Sequence, residues 1–497
     1  QKKRLFVYSL ILFIIIFLAF RYVSALKIKE LNPWAMPIIF TLKTITGLLF
    51  IYTYTYIYGD GNLSEDAGVF MRESKIINDV FWKSPYDYFK LFFNIGDQRE
   101  IVDYYLQDTF NWDAGPMGFT SDNRNMLRVQ SLIHFFSKNQ AGVHMLIMVF
   151  ISSIGVKQLF LGLAQHSLLK KQITIAILVL LPSAFFWSSG ILKEPFLILG
   201  IGFISRSLLS QIKVNKKLFL FTSGILVLFL FKPFVLFSII PATLYVICIK
   251  YLPRRKLIGG LIMLITITTI VLLLFPSQRA GTTHLISRKQ FDFNNMGKGG
   301  LHAMIDTSYF YVKPEQVQLL AIEGDSVWVK EQTNAWRLRQ GRMDIPVPIV
   351  LEPSQKKWYI FDNRERSLGY FEVSLINDSF SQLILNIPEA IINTLFRPFI
   401  TDTGSLLKYP AVIETFLVFL FLLIAVSRRR KIDFNQRKII SVLVVFIITL
   451  SIIIGWVTPI SGAIVRYRIP VYYGIVMISM ILISPPNFLK KKSCIDQ

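Results

Sequence analysis

The apolar residues of this chain fall into long unbroken blocks, such as Leu5–Phe20, Met36–Tyr58 and Leu257–Phe275. A bilayer core of about 30 Å takes about 20 apolar helical residues, and these blocks approach or reach that length. A cleavable leader would account for the first block alone. The pattern predicts a polytopic α-helical membrane protein with about eleven transmembrane helices. They are expected near 5–21, 34–58, 141–163, 172–188, 195–210, 217–231, 233–250, 257–275, 410–427, 438–456 and 469–485.

Two long stretches between the blocks are polar. Residues 59–140 mix charges with aromatics, including Phe81, Trp82, Tyr86, Tyr88, Phe89, Phe92 and Phe93. That mixture suits outward-facing amphipathic helices lying at a membrane surface. Residues 276–409 carry strand-like pieces near Ser326–Lys330, Trp336–Arg339, Lys357–Phe361 and Tyr370–Val373, broken by Gly, Pro, Asn and Asp. These predict a small β-containing domain, followed by surface helices from about Phe380 to Phe396. The chain so divides into first helices (1–58), a first extracytoplasmic loop (59–140), a transmembrane bundle (141–275) and an extracytoplasmic α+β segment (276–409). Last helices (410–489) and a cytoplasmic tail (490–497) complete it.

Charge orients this layout. Of 497 residues, 53% are hydrophobic and 17% charged, with a net charge of +23. On a soluble protein such a balance would suggest nucleic acid. Here the basic residues gather in short loops beside the spans, where they mark the cytoplasmic side, so no nucleic-acid partner is expected. The run Arg428-Arg429-Arg430-Lys431 with Arg437 and Lys438 is the strongest marker. Lys170 and Lys171, Lys213 to Lys217, Arg254 to Lys256 and Lys490 to Lys492 share its side when the spans alternate. Residues 59–140, 276–409 and the turns at 189–194, 232 and 457–468 then face outward. Lys2, Lys3 and Arg4 would fall outside by the same count, against the rule, unless the first segment is re-entrant or interfacial. Two cysteines, Cys248 and Cys494, make neither a disulfide framework nor a zinc cluster. The five histidines show no ligand spacing, and there is no P-loop or HExxH.

The informative residues are ionisable groups set against apolar spans on the outward side, costly unless they pair or line a wet cavity. Gly59-Asp60-Gly61 and Glu65-Asp66-Ala67 follow a span directly. A carboxylate there could be the general base for an acceptor hydroxyl; equally, Ser64 and Asp66 are good helix caps. Asp60, Glu65 and Asp66 could also hold a divalent cation (Mg or Mn) through oxygen. Lys193-Glu194 sits in the turn Trp187-Ser188-Ser189-Gly190-Ile191-Leu192-Lys193-Glu194-Pro195, as a binding element or a self-neutralised pair. Arg397-Pro398-Phe399 precedes a span, and Arg466-Tyr467-Arg468-Ile469-Pro470 opens the last one. Two guanidinium forks bracketing a tyrosine suit a phosphate or pyrophosphate; anchoring at the interface is the plainer reading. Lys232 is a weaker member of the set that could simply snorkel.

With these elements the chain resembles the GT-C superfamily of polytopic glycosyltransferases and the related bacterial membrane polysaccharide polymerases. In that group a catalytic acid follows a span in the first outer loop, with an aromatic four residues on. Asp66 and Phe70 match that spacing, although tyrosine is more usual, and Asp60 is the alternative acid. The turn at 187–194, the Arg397-Pro398-Phe399 element and the run from Gly462 to Pro470 also look like motifs of bacterial members. The resemblance implies transfer from a polyprenyl-phosphate-linked sugar to a glycan or lipid acceptor, at the outer face of a bacterial inner (plasma) membrane. It does not extend to 276–396. Two other classes compete. One is a transporter or flippase for a lipid-linked or anionic substrate. The other is a membrane assembly subunit with an extracytoplasmic binding domain.

Overall fold

A computed structural model describes residues 2–107, 109, 111–112, 118–251, 256–305, 308–339, 346–406 and 408–490. Arg254, Arg255, Lys491, Lys492 and Cys494, named above, lie outside them. The protein is mostly helical, with one antiparallel sheet. Seven described helices are long and apolar enough to cross a membrane: Ala35–Ile57, Ala141–Leu163, Val214–Phe231, Pro233–Lys250, Leu257–Leu274, Lys408–Ser427 and Phe434–Val457. An eighth span results if Ser461–Tyr467 and Ile469–Leu482, bent by 52°, are one. In Leu257–Leu274 only 11% of the apolar window is buried. An apolar helix open on most of its circumference needs lipid or protein around it, and seven of them make a multi-pass membrane protein.

The expected eleven spans reduce for local reasons. The block at 172–188 is two short helices, Lys171–Val179 and Pro182–Trp187. Pro182 lacks the amide hydrogen that a continuous helix needs. Glu194–Leu209 has 16 residues, and the first helix, Lys2–Tyr22, opens on Lys2, Lys3 and Arg4, which leaves the shorter apolar stretch Val7–Tyr22.

The chain forms two compact units. The first comprises residues 1–239, 419–440 and 473–497. Its core is helices Ala141–Leu163, Glu194–Leu209 and Val214–Phe231. The first two touch along glycines: a Cβ on Gly155 would lie 2.6 Å from the carbonyl carbon of Ile198, and one on Gly202 would lie 2.4 Å from the Gly155 oxygen. Small residues let helices approach closely where lipid supplies no hydrophobic drive. At one end of this unit the basic stretches meet. Arg430 donates to the carbonyls of Ile481 and His166, the Lys170 amide to Leu489, and His166 contacts the Leu209 carbonyl. The loop after the first helix joins them through Lys171–Glu30, 2.9 Å. At the other end Ser9, early in the first helix, bonds Gln140 at 3.2 Å. The start of the first helix therefore lies beside the start of Ala141–Leu163.

Within segment 59–140, helix Pro85–Phe93 exposes Tyr86, Phe89 and Phe93, whereas Asp122–Ser137 departs from a surface-lying amphipathic helix. Glu65–Lys83 and Asp122–Ser137 pack on each other, and the second buries Arg124, Asn125, Arg128, Gln130, Ser131 and His134. Its polar side faces protein, where hydrogen-bond partners compensate for burial.

The second unit comprises residues 240–418 and 441–472. A 23-residue helix, Pro276–Lys298, which the strand-like pattern did not foretell, leads into seven strands. They are β1 (Gly300–Ile305), β2 (Ser308–Val312), β3 (Leu320–Glu323), β4 (Ser326–Val329), β5 (Thr333–Arg339), β6 (Val347–Leu351) and β7 (Ser354–Arg364). Their order is β3-β4-β7-β1-β2-β5-β6, with every pairing antiparallel. One face carries the apolar core of Leu301, Ala303, Phe310, Val312, Val327 and Ala335. Residues 370–373, expected as a strand, make one isolated bridge, Tyr370 to Ile460. The helices expected from Phe380 to Phe396 are Phe380–Leu385 and Ile387–Phe396. The second docks tightly on Phe434–Val457: a Cβ on Gly455 would lie 2.0 Å from the Ala390 oxygen. Thr394 donates to the Ser451 carbonyl at 2.7 Å.

Candidate functional site

In the first unit, the end away from the basic loops gathers ionisable groups from three stretches. Helix Val214–Phe231 stops at Lys232, and Glu194 opens the next helix over. Phe196 stacks on Phe231 at 3.9 Å and 8°, which sets the register between the two helices. Lys232 Nζ then meets Glu194 Oε1 at 2.7 Å, with side chains 3% and 0% exposed. Lys232 does not snorkel; it is a buried, paired cation. Nor do Lys193 and Glu194 neutralise each other. Adjacent positions at a helix start point in different directions. Lys193 instead donates to Asp122 Oδ2 at 2.5 Å and Asn123 Oδ1 at 2.7 Å.

Asp122 and Asn123 stand in the first turn of Asp122–Ser137, where the Ser121 hydroxyl accepts the Arg124 amide. From there a polar network runs inward. Asn123 donates to Asn111 Oδ1 at 2.6 Å, and Asn111 donates twice to Glu73 Oε2 at 3.2 Å. Asn125 reaches the Leu230 carbonyl at 2.8 Å, two residues before Lys232. Arg128 bonds Asn125 Oδ1 at 2.8 Å and lies 4.9 Å from the Trp112 ring centroid. Burial, and secondarily the charge of Arg124, lowers the Arg128 pKa to about 10. Lys43, 1% exposed, donates to Ser188 Oγ at 2.6 Å, in the turn that leads to Lys193. Sequence reading missed Glu73, Asn111, Asp122, Asn123, Arg124, Arg128 and Lys43. The signal present was the run Asp122-Asn123-Arg124-Asn125 with Arg128 one turn on, too polar for a helix resting on lipid.

The three acids lie in this same unit. The span Ala35–Tyr52 continues through a wide turn, Thr53–Ile57, and releases the chain at Asp60. Asp60, Glu65 and Asp66 are all exposed. Ser64 does not cap the next helix; its hydroxyl donates to the Tyr54 carbonyl at 2.7 Å. Glu65 and Asp66 occupy the first turn, where the helix dipole favours negative charge. Glu65 has φ +51°, a left-handed backbone that residues other than Gly and Asn seldom adopt. Phe70 is 1% exposed and serves as a packing anchor. Among the described residues no three His, Cys, Asp or Glu side chains group as metal ligands, so Asp60, Glu65 and Asp66 do not form a cation cage.

Arg397, Arg466, Tyr467 and Arg468 belong to the second unit. Arg468 is fully buried. Its guanidinium donates to the carbonyls of Thr394 and Arg397 and, at 3.0 Å, to Thr415 Oγ1, over the Tyr472 ring at 4.3 Å. A fork so enclosed is a structural clamp and not an open phosphate ligand. Arg397 is also engaged internally, with Asp402 at 2.6 Å and Asn393 at 2.9 Å, its guanidinium 3.9 Å from the Phe371 ring centroid. Arg466 and Tyr467 are half-buried. No protein-family model matches this chain, and no curated protein or solved structure is significantly similar to it.

Proposed function

We propose that the protein is a membrane glycosyltransferase of the GT-C kind, or a polysaccharide polymerase, acting on a polyprenyl-phosphate-linked sugar at the outer face of a bacterial inner membrane. The observation that carries this reading is the pairing of Lys193 with Asp122. Lys193 is 10% exposed on its side chain, while Asp122 is 33% exposed. A donor phosphate can replace such a carboxylate on the lysine without leaving a buried cation unpaired. Exposed Asp66, or Asp60, takes the proton from the acceptor hydroxyl. The new bond forms between that oxygen and the anomeric carbon. The bond from the anomeric carbon to the phosphate oxygen breaks, and the lipid phosphate leaves with the electron pair, its negative charge met by Lys193. Lys232 stays with Glu194 and holds the turn in place.

Asp66→Asn should slow turnover by about 10²–10⁴-fold with donor affinity kept. Lys193→Met should weaken donor affinity by roughly ten- to a hundredfold. Both are read from sugar transfer and lipid-donor binding with purified protein in nanodiscs. Full transfer by the Asp60/Asp66 double variant would exclude this acid chemistry. A transporter predicts instead that vesicles take up or flip the lipid-linked substrate with both acids removed.

A further inference from the structure

The sheet of the second unit carries polar and aromatic groups that its core does not use. Side chains alternate along a strand. Register pairs Asn334 with Val350 and Trp336 with Pro348, so these four share one face of β5 and β6. Ala335, between them, belongs to the apolar core, and Ile349 packs against it. Beside the first four, the short turn after β2 brings Lys313, Glu315 and Gln316. With Ala335 and Ile349 they line a cavity of about 460 Å³ at the sheet edge, a size suited to a small ligand. Trp336 is half-buried and braced by Phe291, ring centroids 5.6 Å apart at 69°. Gln316 Oε1 accepts the Asn334 amide hydrogen at 3.1 Å, which ties the turn to the strand.

We propose that this cavity is a binding subsite for an uncharged or zwitterionic oligosaccharide. A sugar ring has an apolar C–H face, which packs on an indole, and a rim of hydroxyls, which take amide, ammonium and carboxylate partners. The charges of Lys313 and Glu315 cancel, which disfavours a phosphate or another polyanion. An extended peptide would add to the edge strand through backbone hydrogen bonds, and Pro348, in the middle of β6, has no N–H to offer. The assignment of that sugar as acceptor glycan rests on the glycosyltransferase reading; the subsite itself does not.

The test is saturation-transfer NMR on the full chain in nanodiscs, with chitotetraose, mannotetraose and an extended heptapeptide as probes. Saturation of ring C–H protons is expected for at least one of the sugars. Trp336→Ala should weaken that binding at least tenfold, while Trp336→Phe should keep most of it. Lys313→Ala combined with Asn334→Ala leaves the indole in place and should weaken it severalfold, which separates loss of the site from loss of the fold. No saturation of either sugar, undiminished saturation in Trp336→Ala, or saturation of the peptide alone would overturn the proposal. Sugar binding by a protein that transfers no sugar would support the subsite and count against the transferase. Transfer without such binding would do the reverse.

Discussion

In the first unit Lys232 meets Glu194 at 2.7 Å, both out of water. In the second, buried Arg468 is held by two backbone carbonyls, the Thr415 hydroxyl and the Tyr472 ring, with Glu414 supplying the opposite charge electrostatically. The lysine pair is a direct contact of one cation with one carboxylate, with the Phe234 ring 5.7 Å from the ammonium. The arginine is a hub, because five planar donors can bind several segments at once. Arg468 joins the end of helix Ile387–Phe396, residue 397 and helix Lys408–Ser427. The first arrangement can be deleted as a unit; the second cannot.

Three experiments break or sharpen that contrast. The largest effect belongs to the hub. Arg468→Ala should cost about 3–5 kcal/mol, because it leaves several buried acceptors without their donor. Arg468→Lys should recover only part, since an ammonium cannot reproduce the fork. The check is the thermal midpoint in nanodiscs, with loss of folded protein as the extreme outcome. A midpoint for Arg468→Ala equal to wild type would remove the clamp role.

A smaller net effect is expected at the pair. Glu194→Ala alone should destabilise by about 3 kcal/mol, by stranding Lys232. Glu194→Leu with Lys232→Met should return most of that loss, since a buried ion pair replaced by apolar groups is often near neutral. A double variant as unstable as the sum of the singles would mean that the two residues act separately. Sugar transfer by a stable double variant would further show that the pair is scaffold and not chemistry.

The smallest effect is titration in the first unit. His134 is 6% exposed, contacts Ser74 Oγ at 3.0 Å and lies 4.4 Å from the His144 ring. Burial pushes its pKa down to about 4; the Met71 carbonyl, Lys75 and Asp79 contribute less. The folded state therefore resists a proton that the unfolded chain accepts near pH 6.5. The contribution is whole above that pH and is lost as pH falls toward about 4, to a limit of about 3 kcal/mol. The difference in midpoint between wild type and His134→Asn should change over that window and be flat above pH 7. A flat difference throughout would show that His134 titrates alike in both states.

Legibility in the sequence was uneven for physical reasons. Ala141–Leu163 appeared with its bounds unchanged, since an apolar block of span length has few alternatives. The sheet was legible at β4, β5 and β7, where alternation and turn residues coincide. Pro276–Lys298 was not, because its polar residues show no apolar stripe. Lys193 and Glu194 were read as a binding element or a self-neutralised pair and Lys232 as a residue that could snorkel, and the partners they have in the fold were not legible. Partners 38 to 71 residues away leave no trace in spacing. Arg468 was read as an open ligand because a guanidinium beside a tyrosine looks the same on paper, exposed or enclosed.

What this sequence determined by itself is its solvent and its coarse orientation. Blocks of apolar residues must leave water, which follows from transfer free energies summed along the chain, and in the first unit the basic stretches around Lys170 and Arg430 meet at one end. Only the tertiary structure decided which charges are sealed from solvent and which stay open to it. Asp66 stays exposed while Glu194, Lys232 and Arg468 are sealed. Burial is a property of what packs around a residue, and close approaches such as Gly155 on Ile198 and Gly455 on Ala390 set it between segments far apart in the chain.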